Sequence, residues 1–250
     1  MVYVCLSLAI VACAAIAVAA LIDANSLRVL ACFSTDLAPR NAEQKHNIAR
    51  AAARIDGRVI KPGEEFSFNK VVGPCGMDEG YQRAGTIVNG ELRAEWGGGV
   101  CQLSSTLYNA ALLADLRITR RLAHSQRVSS VPPGRDATVA FGIADLRFVN
   151  NTRSPIRVQA TATANRLTVS ILGKRGSDAS RYDTWRQHVD IETRTIPAQS
   201  SARPQYGVGG RRLLDRSRQG DVVLTYRVTT PEGGKPRREL ISKDAYEVER

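Results

Sequence analysis

Cys101, His124 and an aspartate, either Asp136 or Asp145, are side chains of the types that thiol acyl transfer needs. Cys101 lies in EWGGGVCQLSST, residues 95–106, where three glycines run into an apolar, helix-like stretch. Cysteine attacks carbonyl carbon as its thiolate, a form that helix N-termini favour. The same place offers backbone N–H groups without intrahelical acceptors, so Gly98, Gly99 and Val100 are candidates to hold an oxyanion. Glycines there let a substrate carbonyl come close to the backbone. A thiol nucleophile also needs a base, oriented by a third group. His124, in RRLAHSQRV, is the candidate base; Asp136 in PPGRDATV and Asp145 in IADLRF are the acidic candidates. The alternative reading of Cys101 is a packed thiol or a disulfide to Cys75 or Cys32. For Asp136 the alternative is a turn held by its side chain.

The elements around these residues read as mixed α+β. NAEQKHNIARAAARIDG predicts a helix, with Asn41 and Gln44 at capping-box spacing, Ile48, Ala52 and Ile55 on one face, and Gly57 at its end. From Cys101 onward, Leu103, Leu107, Ala110, Ala111 and Ala114 fall on one face of a second, buried helix. EEFSFNKVV reads as a strand, and TIVNGELRAEW as a hairpin around Asn89-Gly90. Residues 25–40 read as polar and irregular, and RITRRLAHSQRVSSV as extended. ATVAFGIADLRFVN and PIRVQATATANRLTVSILG supply further strands with asparagine-rich turns. The sequence divides into an apolar segment at 1–24, a main domain at 25–173, a polar linker at 174–189 and a small all-β module at 190–250.

Composition bounds the partners. Lysine and arginine exceed acids by 35 to 24, a formal net charge of +11, which suits anionic partners. Residues 2–22 carry no charged side chain, enough to cross a bilayer once or to serve as a signal segment. Export past such a segment excludes nucleic acid and directs the basic charge toward a cell envelope. Two of the five cysteines, Cys5 and Cys13, lie in that segment. The remaining three permit one disulfide plus a free thiol, or three thiols. Three histidines and no C-x-x-C pair give a structural metal site no support.

The stretches RNAEQKHNIARAAARIDGRVIKPGEEFSFN, GYQRAGTIVNG, GGGVCQLSSTLYNAALLADL, HSQRVSSVPPGRDATV and DLRFVNNTRSPIRV occur in the order of the VanW domain, which residues 33–173 resemble. The tail after Asp190 resembles the small envelope-binding β-module called G-five. The resemblance implies a peptidoglycan L,D-transpeptidase in which the motif cysteine is Cys101, the histidine of the H-S pair is His124 and the aspartate of G-x-D-A-T is Asp136. Ser130 departs from the family's usual tyrosine. Implied partners are stem peptides and anionic wall polymers, with Arg93, Arg127 or Arg135 binding a stem carboxylate, a membrane held through the N-terminal segment, and no cofactor. Two rivals share this chemistry or this location: a cysteine-dependent wall hydrolase and a non-catalytic wall-binding protein.

Overall fold

The computed structural model describes residues 27–88, 91–174, 187–197 and 219–247. The predicted membrane or signal segment, the Asn89-Gly90 turn and most of the predicted linker lie outside the described residues. Among the described residues no helix is long and apolar enough to cross a membrane.

Two long helices hold the core. Helix α1 (Ala42–Ile55) starts at Asn41, whose side chain accepts from the Gln44 amide while Gln44 reaches back to the Asn41 amide. This reciprocal cap satisfies two donors that a helix start leaves open. Asn47, Ile48, Ala51, Ala52 and Ile55 form its buried face, and Asp56 caps its end ahead of Gly57. A short helix α2 (Phe68–Val72) follows. Helix α3 (Val100–Leu113) is buried on nearly every side, including Gln102, Ser104, Ser105, Thr106 and Asn109. A helix apolar on all sides belongs in a core, and here its polar side chains must find partners there too.

The strands form antiparallel sheets around these helices, giving a mixed α+β fold. Strands β1 (Leu27–Asp36), β9 (Arg166–Lys174), β8 (Ile156–Ala162) and β2 (Val59–Ile60) form one sheet in that order. Its inner face, with Val158, Leu167, Val169 and Ile171 fully buried, takes α1 and α3. Strands β3 (Glu65–Ser67), β7 (Arg147–Val149) and β6 (Arg117–Arg120) form a second sheet, in which Phe66 stacks on Phe148 at 4.8 Å between ring centres. Strands β4 (Arg83–Val88) and β5 (Glu91–Trp96) pair as the hairpin that the sequence predicts. Strands β10 (Gln187–Ile196), β11 (Gln219–Pro231) and β12 (Arg237–Glu247) form a three-stranded sheet.

Several expectations change. The stretch read as irregular contains β1, an edge strand whose register slips between Val29 and Ala31, which breaks the alternation a strand normally shows. Only Glu65–Ser67 of EEFSFNKVV is strand. Ser67 then caps α2 by accepting from the Lys70 amide, while Asp145 accepts from the Asn69 amide and the Ser67 hydroxyl. Of RITRRLAHSQRVSSV only Arg117–Arg120 is strand, and within ATVAFGIADLRFVN a lone Ala140–Ala144 bridge precedes β7. The last sheet starts at Gln187 rather than 190, and it packs on the rest of the chain: Val223, Thr225 and Tyr246 are buried.

Candidate active site

Helix α3 carries the thiol and, through its buried polar face, also holds the loop that bears the carboxylate. Ser104 Oγ donates to the Ala137 carbonyl at 2.6 Å, and Ser105 Oγ accepts from the Ala137 amide at 2.9 Å. Asn109 donates to the Arg135 carbonyl at 2.8 Å and accepts from Arg135 Nε at 2.5 Å. Arg135, Asp136 and Ala137 are thereby fixed relative to Cys101 on one rigid element. The start of α3 is fastened to β1 as well. Gln102 donates to Thr35 Oγ1 at 3.0 Å and to the Asp36 carbonyl at 2.8 Å, and accepts from Arg40 at 2.6 Å. The polar run in QLSSTLYN, inside an otherwise apolar helix, is the sequence signal for these contacts.

Asp136 is buried, and one of its oxygens, Oδ2, accepts from both the His124 amide and the His124 ring at Nδ1, each at 2.7 Å. Its other oxygen accepts from Tyr246 at 2.5 Å and Arg121 at 3.2 Å. With Nδ1 committed, Nε2 is the ring nitrogen left for Cys101. Burial opposes a charged imidazole, but hydrogen bonds and charge from Asp136 and Cys101 outweigh it and push His124 up to about 9. Burial likewise opposes the Asp136 carboxylate, yet His124, Arg121 and Tyr246 together hold it below the ordinary range. The Cys101 sulfur also lies 3.4 Å from the Val139 carbonyl. The structure thus bonds the imidazole to the carboxylate and places the Cys101 thiol near enough to act on the imidazole.

The sign of the linked pH dependence follows from the raised histidine. Its contribution to stability is fully present below the unfolded value of about 6.5 and is lost as pH rises through about 9. Urea denaturation is expected to show stability falling by on the order of 3 kcal/mol between pH 6 and pH 10 through this group. His124→Gln is expected to flatten that part of the profile.

A cleft of about 260 Å³ opens at Cys101. Its walls include Phe68, Asn69, Thr86, Trp96, Val139 and Phe141, and among the described residues no charged side chain lines it. Trp96 and Phe141 are 43% and 56% exposed, leaving aromatic surface for a ligand at the rim. Gly97, Gly98 and Gly99 form its floor. Their lack of side chains serves the protein's own packing. A Cβ at Gly98 would stand 2.4 Å from the Ala84 carbonyl oxygen, and Gly99 caps α3 at φ 100° against Gln44. Gly98→Ala is expected to cost about 3 kcal/mol, because backbone of β4 rather than a flexible side chain must move; urea denaturation measures it.

The turn also decides which amides face the cleft. The Gly98 amide is directed at the Glu95 carbonyl at 3.4 Å, and that of Val100 at the Gly97 carbonyl at 3.1 Å. Gly99 and Cys101 keep amides without an intramolecular acceptor among the described residues. Of the predicted oxyanion donors, therefore, Gly99 is open while Gly98 and Val100 are engaged.

The predicted arginines lie elsewhere. Arg135 is held by Asn109 and sits over the Phe33 ring at 4.9 Å; Arg127 pairs with Asp221; Arg93 is exposed on β5. Asp145 serves α2 and pairs with Arg147 at 2.7 Å, away from His124. Cys32, Cys75 and Cys101 are free thiols. Cys75 shares the cleft, but burial pushes its thiol up, which makes it a poor nucleophile. Among the described residues no three His, Cys, Asp or Glu side chains gather as a metal ion would need. Arg121, Tyr246 and Asp244 also belong to this network, and nothing near them in the sequence signals it.

The chain is 45% identical over 131 residues to the uncharacterized protein YoaR of Bacillus subtilis, covering 52% of this chain and 43% of that one. It is 35% identical over 120 residues to the vancomycin B-type resistance protein VanW of Enterococcus faecalis, covering 46% of this chain and 44% of that protein. The chain thus spans less than half the length of these relatives. No solved structure matches. Residues 43–172, about half of the chain, match the model of the family described as VanW like protein, and the chain belongs to that family.

Proposed function

We propose that this chain is a cell-envelope peptidoglycan L,D-transpeptidase that works through a Cys101 thioester. The observation that carries the reading is the Asp136–His124 hydrogen bond at 2.7 Å beside the Cys101 thiol, which opens on an aromatic-walled cleft. One relative is named for vancomycin resistance, and that name supports a reading in wall chemistry.

In the first half-reaction the Cys101 thiolate attacks the carbonyl carbon of the third residue of a donor stem tetrapeptide. The amides of Gly99 and Cys101 hold the oxyanion. The tetrahedral intermediate collapses with cleavage of the bond to the terminal D-alanine, whose amine takes a proton from His124. In the second, the side-chain amine of a neighbouring stem's third residue loses a proton to His124 and attacks the thioester. The sulfur leaves as thiolate, and an amide joins the two stems. Asp136 keeps the imidazole turned so that Nε2 faces the sulfur. The +11 balance suits anionic wall polymers, and in this reading the β10–β12 sheet, which resembles G-five, adds contact with them. No cofactor enters these steps.

The test incubates the full chain, in mild detergent, with disaccharide-tetrapeptides and follows products by mass spectrometry, alongside Cys101→Ala. A cross-linked dimer lacking one D-alanine, formed only by the intact thiol, is expected. Released D-alanine without dimer would assign water as acceptor and make the chain a hydrolase. No turnover from a folded protein supplied with the correct stem would replace the enzyme reading with wall recognition.

A further inference from the structure

The residues that complete the environment of Asp136 lie outside the segment the family match covers. Tyr246 is on β12, and its hydroxyl accepts from the Gly134 amide at 2.6 Å and meets Asp136 Oδ1 at 2.5 Å. A phenol has one proton. The Gly134 contact uses the oxygen as acceptor, so that proton is directed at the carboxylate. Two residues earlier, Asp244 pairs with Arg121 Nη1 at 2.5 Å, while Arg121 Nε donates to the Asp136 carbonyl at 2.6 Å. One residue later, the Glu247 amide donates to the Ser125 carbonyl at 2.7 Å, next to His124. From β11, Thr225 Oγ1 donates to the Gly134 carbonyl at 3.1 Å. Four residues of the last sheet thus grip the two loops that bear the base and its carboxylate. Tyr246 is 1% exposed, so water does not stand in for it.

We propose that Tyr246 is a positioning residue of the active site: its hydroxyl fixes Asp136 ionised and oriented, so that Asp136 can hold His124 against Cys101. The proposal rests on the thiol–imidazole reading of the site and extends the machinery beyond residue 172. Oδ1 is occupied by Tyr246 and Arg121, which leaves Oδ2 to the histidine alone. Without the phenol, the carboxylate keeps a single, long side-chain contact on Oδ1 and can rotate away from the ring. The charged and titratable groups facing Asp136 are His124 and Arg121 from the adjoining loop, Tyr246 from β12 and Tyr108 from α3, with Asp244 behind Arg121. Tyr246 and the two cations favour the ionised carboxylate.

The test measures the rate of iodoacetamide modification at Cys101 against pH, read by peptide mass spectrometry on the full chain in mild detergent. In Tyr246→Phe the acid limb of this profile is expected to move up by about one pH unit. Where transpeptidation is measurable, kcat should fall about tenfold with KM little changed, as loss of one hydrogen bond to a charged group implies. Replacing Tyr246 with 3-fluorotyrosine, a stronger donor of nearly the same shape, should move the limb the opposite way. A folded Tyr246→Phe protein whose alkylation profile overlays that of the parent chain would overturn the proposal. If Tyr246→Phe does not fold, the fluorotyrosine protein decides, and an unmoved limb there overturns it. A shifted limb in a protein that forms no dimer would sink the transpeptidase reading and leave the role of Tyr246 standing.

Discussion

Asp136→Ala is expected to destabilise the chain by about 3–5 kcal/mol, the range for removing one member of a buried charge network. The carboxylate accepts four hydrogen bonds, from the His124 amide and ring, Arg121 and Tyr246. Alanine takes one partner each from a buried guanidinium and a phenol, and the carboxylate from a raised imidazole, at once. Urea denaturation at pH 7 measures the loss, and an effect under about 1 kcal/mol would show that the network is not a stabilising unit. Asp136→Asn separates charge from shape. It keeps the packing but removes the negative charge that helps raise His124 to about 9. The histidine should then titrate nearer its ordinary value, as NMR of the ring carbon would read directly. Acyl transfer should fall by about two to four orders of magnitude, as expected when the orienting carboxylate of such a series is lost.

His124→Ala is expected to slow any acyl transfer by about a thousandfold, within the range that one acid–base group supplies, and Cys101 alkylation at pH 7 by no more than about thirtyfold, the limit that the residual ionisation of an unassisted thiol sets. Among the described residues no charged side chain lines the cleft, so none there can take the place of the imidazole. Alkaline pH, which ionises an unassisted thiol, should recover most of the alkylation rate but little of the transfer rate. Transfer still lacks the proton donor for the departing amine. Equal recovery of both would mean that His124 only tunes the thiol and moves no proton.

What the sequence made legible is what short-range chemistry encodes. The Asn41–Gln44 cap, the buried helix behind Cys101 and the β4–β5 hairpin each follow from residues within a few positions of one another. The conjunction of Cys101, His124 and Asp136 needed the resemblance, because spacing alone left Asp145 equally eligible. The structure separates the two aspartates by their partners: Ser67 and Asn69 for one, His124 for the other. Strand β1 was hidden by a register slip and by pairing with β9 far along the chain. The α2 turn was hidden because an acceptor from Asp145, distant in sequence, helps to cap it. Arg135 looked like a ligand for carboxylates and is instead a cation over Phe33. Tyr246 could not be read at all, since nothing near it in sequence distinguishes it from any strand tyrosine.

The grip of β12 on the His124 loop also has a consequence in time. Tyr246 and Asp136 are 110 residues apart, and β1 reaches as far to meet β9, so the site is closed by contacts of long loop length. Ribosomes deliver the chain from its N-terminus. Cys101 and His124 therefore emerge well before the strand that fixes their carboxylate. A nascent chain carries the Cys101 thiol and the His124 imidazole before Tyr246 can complete the environment of Asp136. On the proposed reading, topology itself limits premature thioester chemistry.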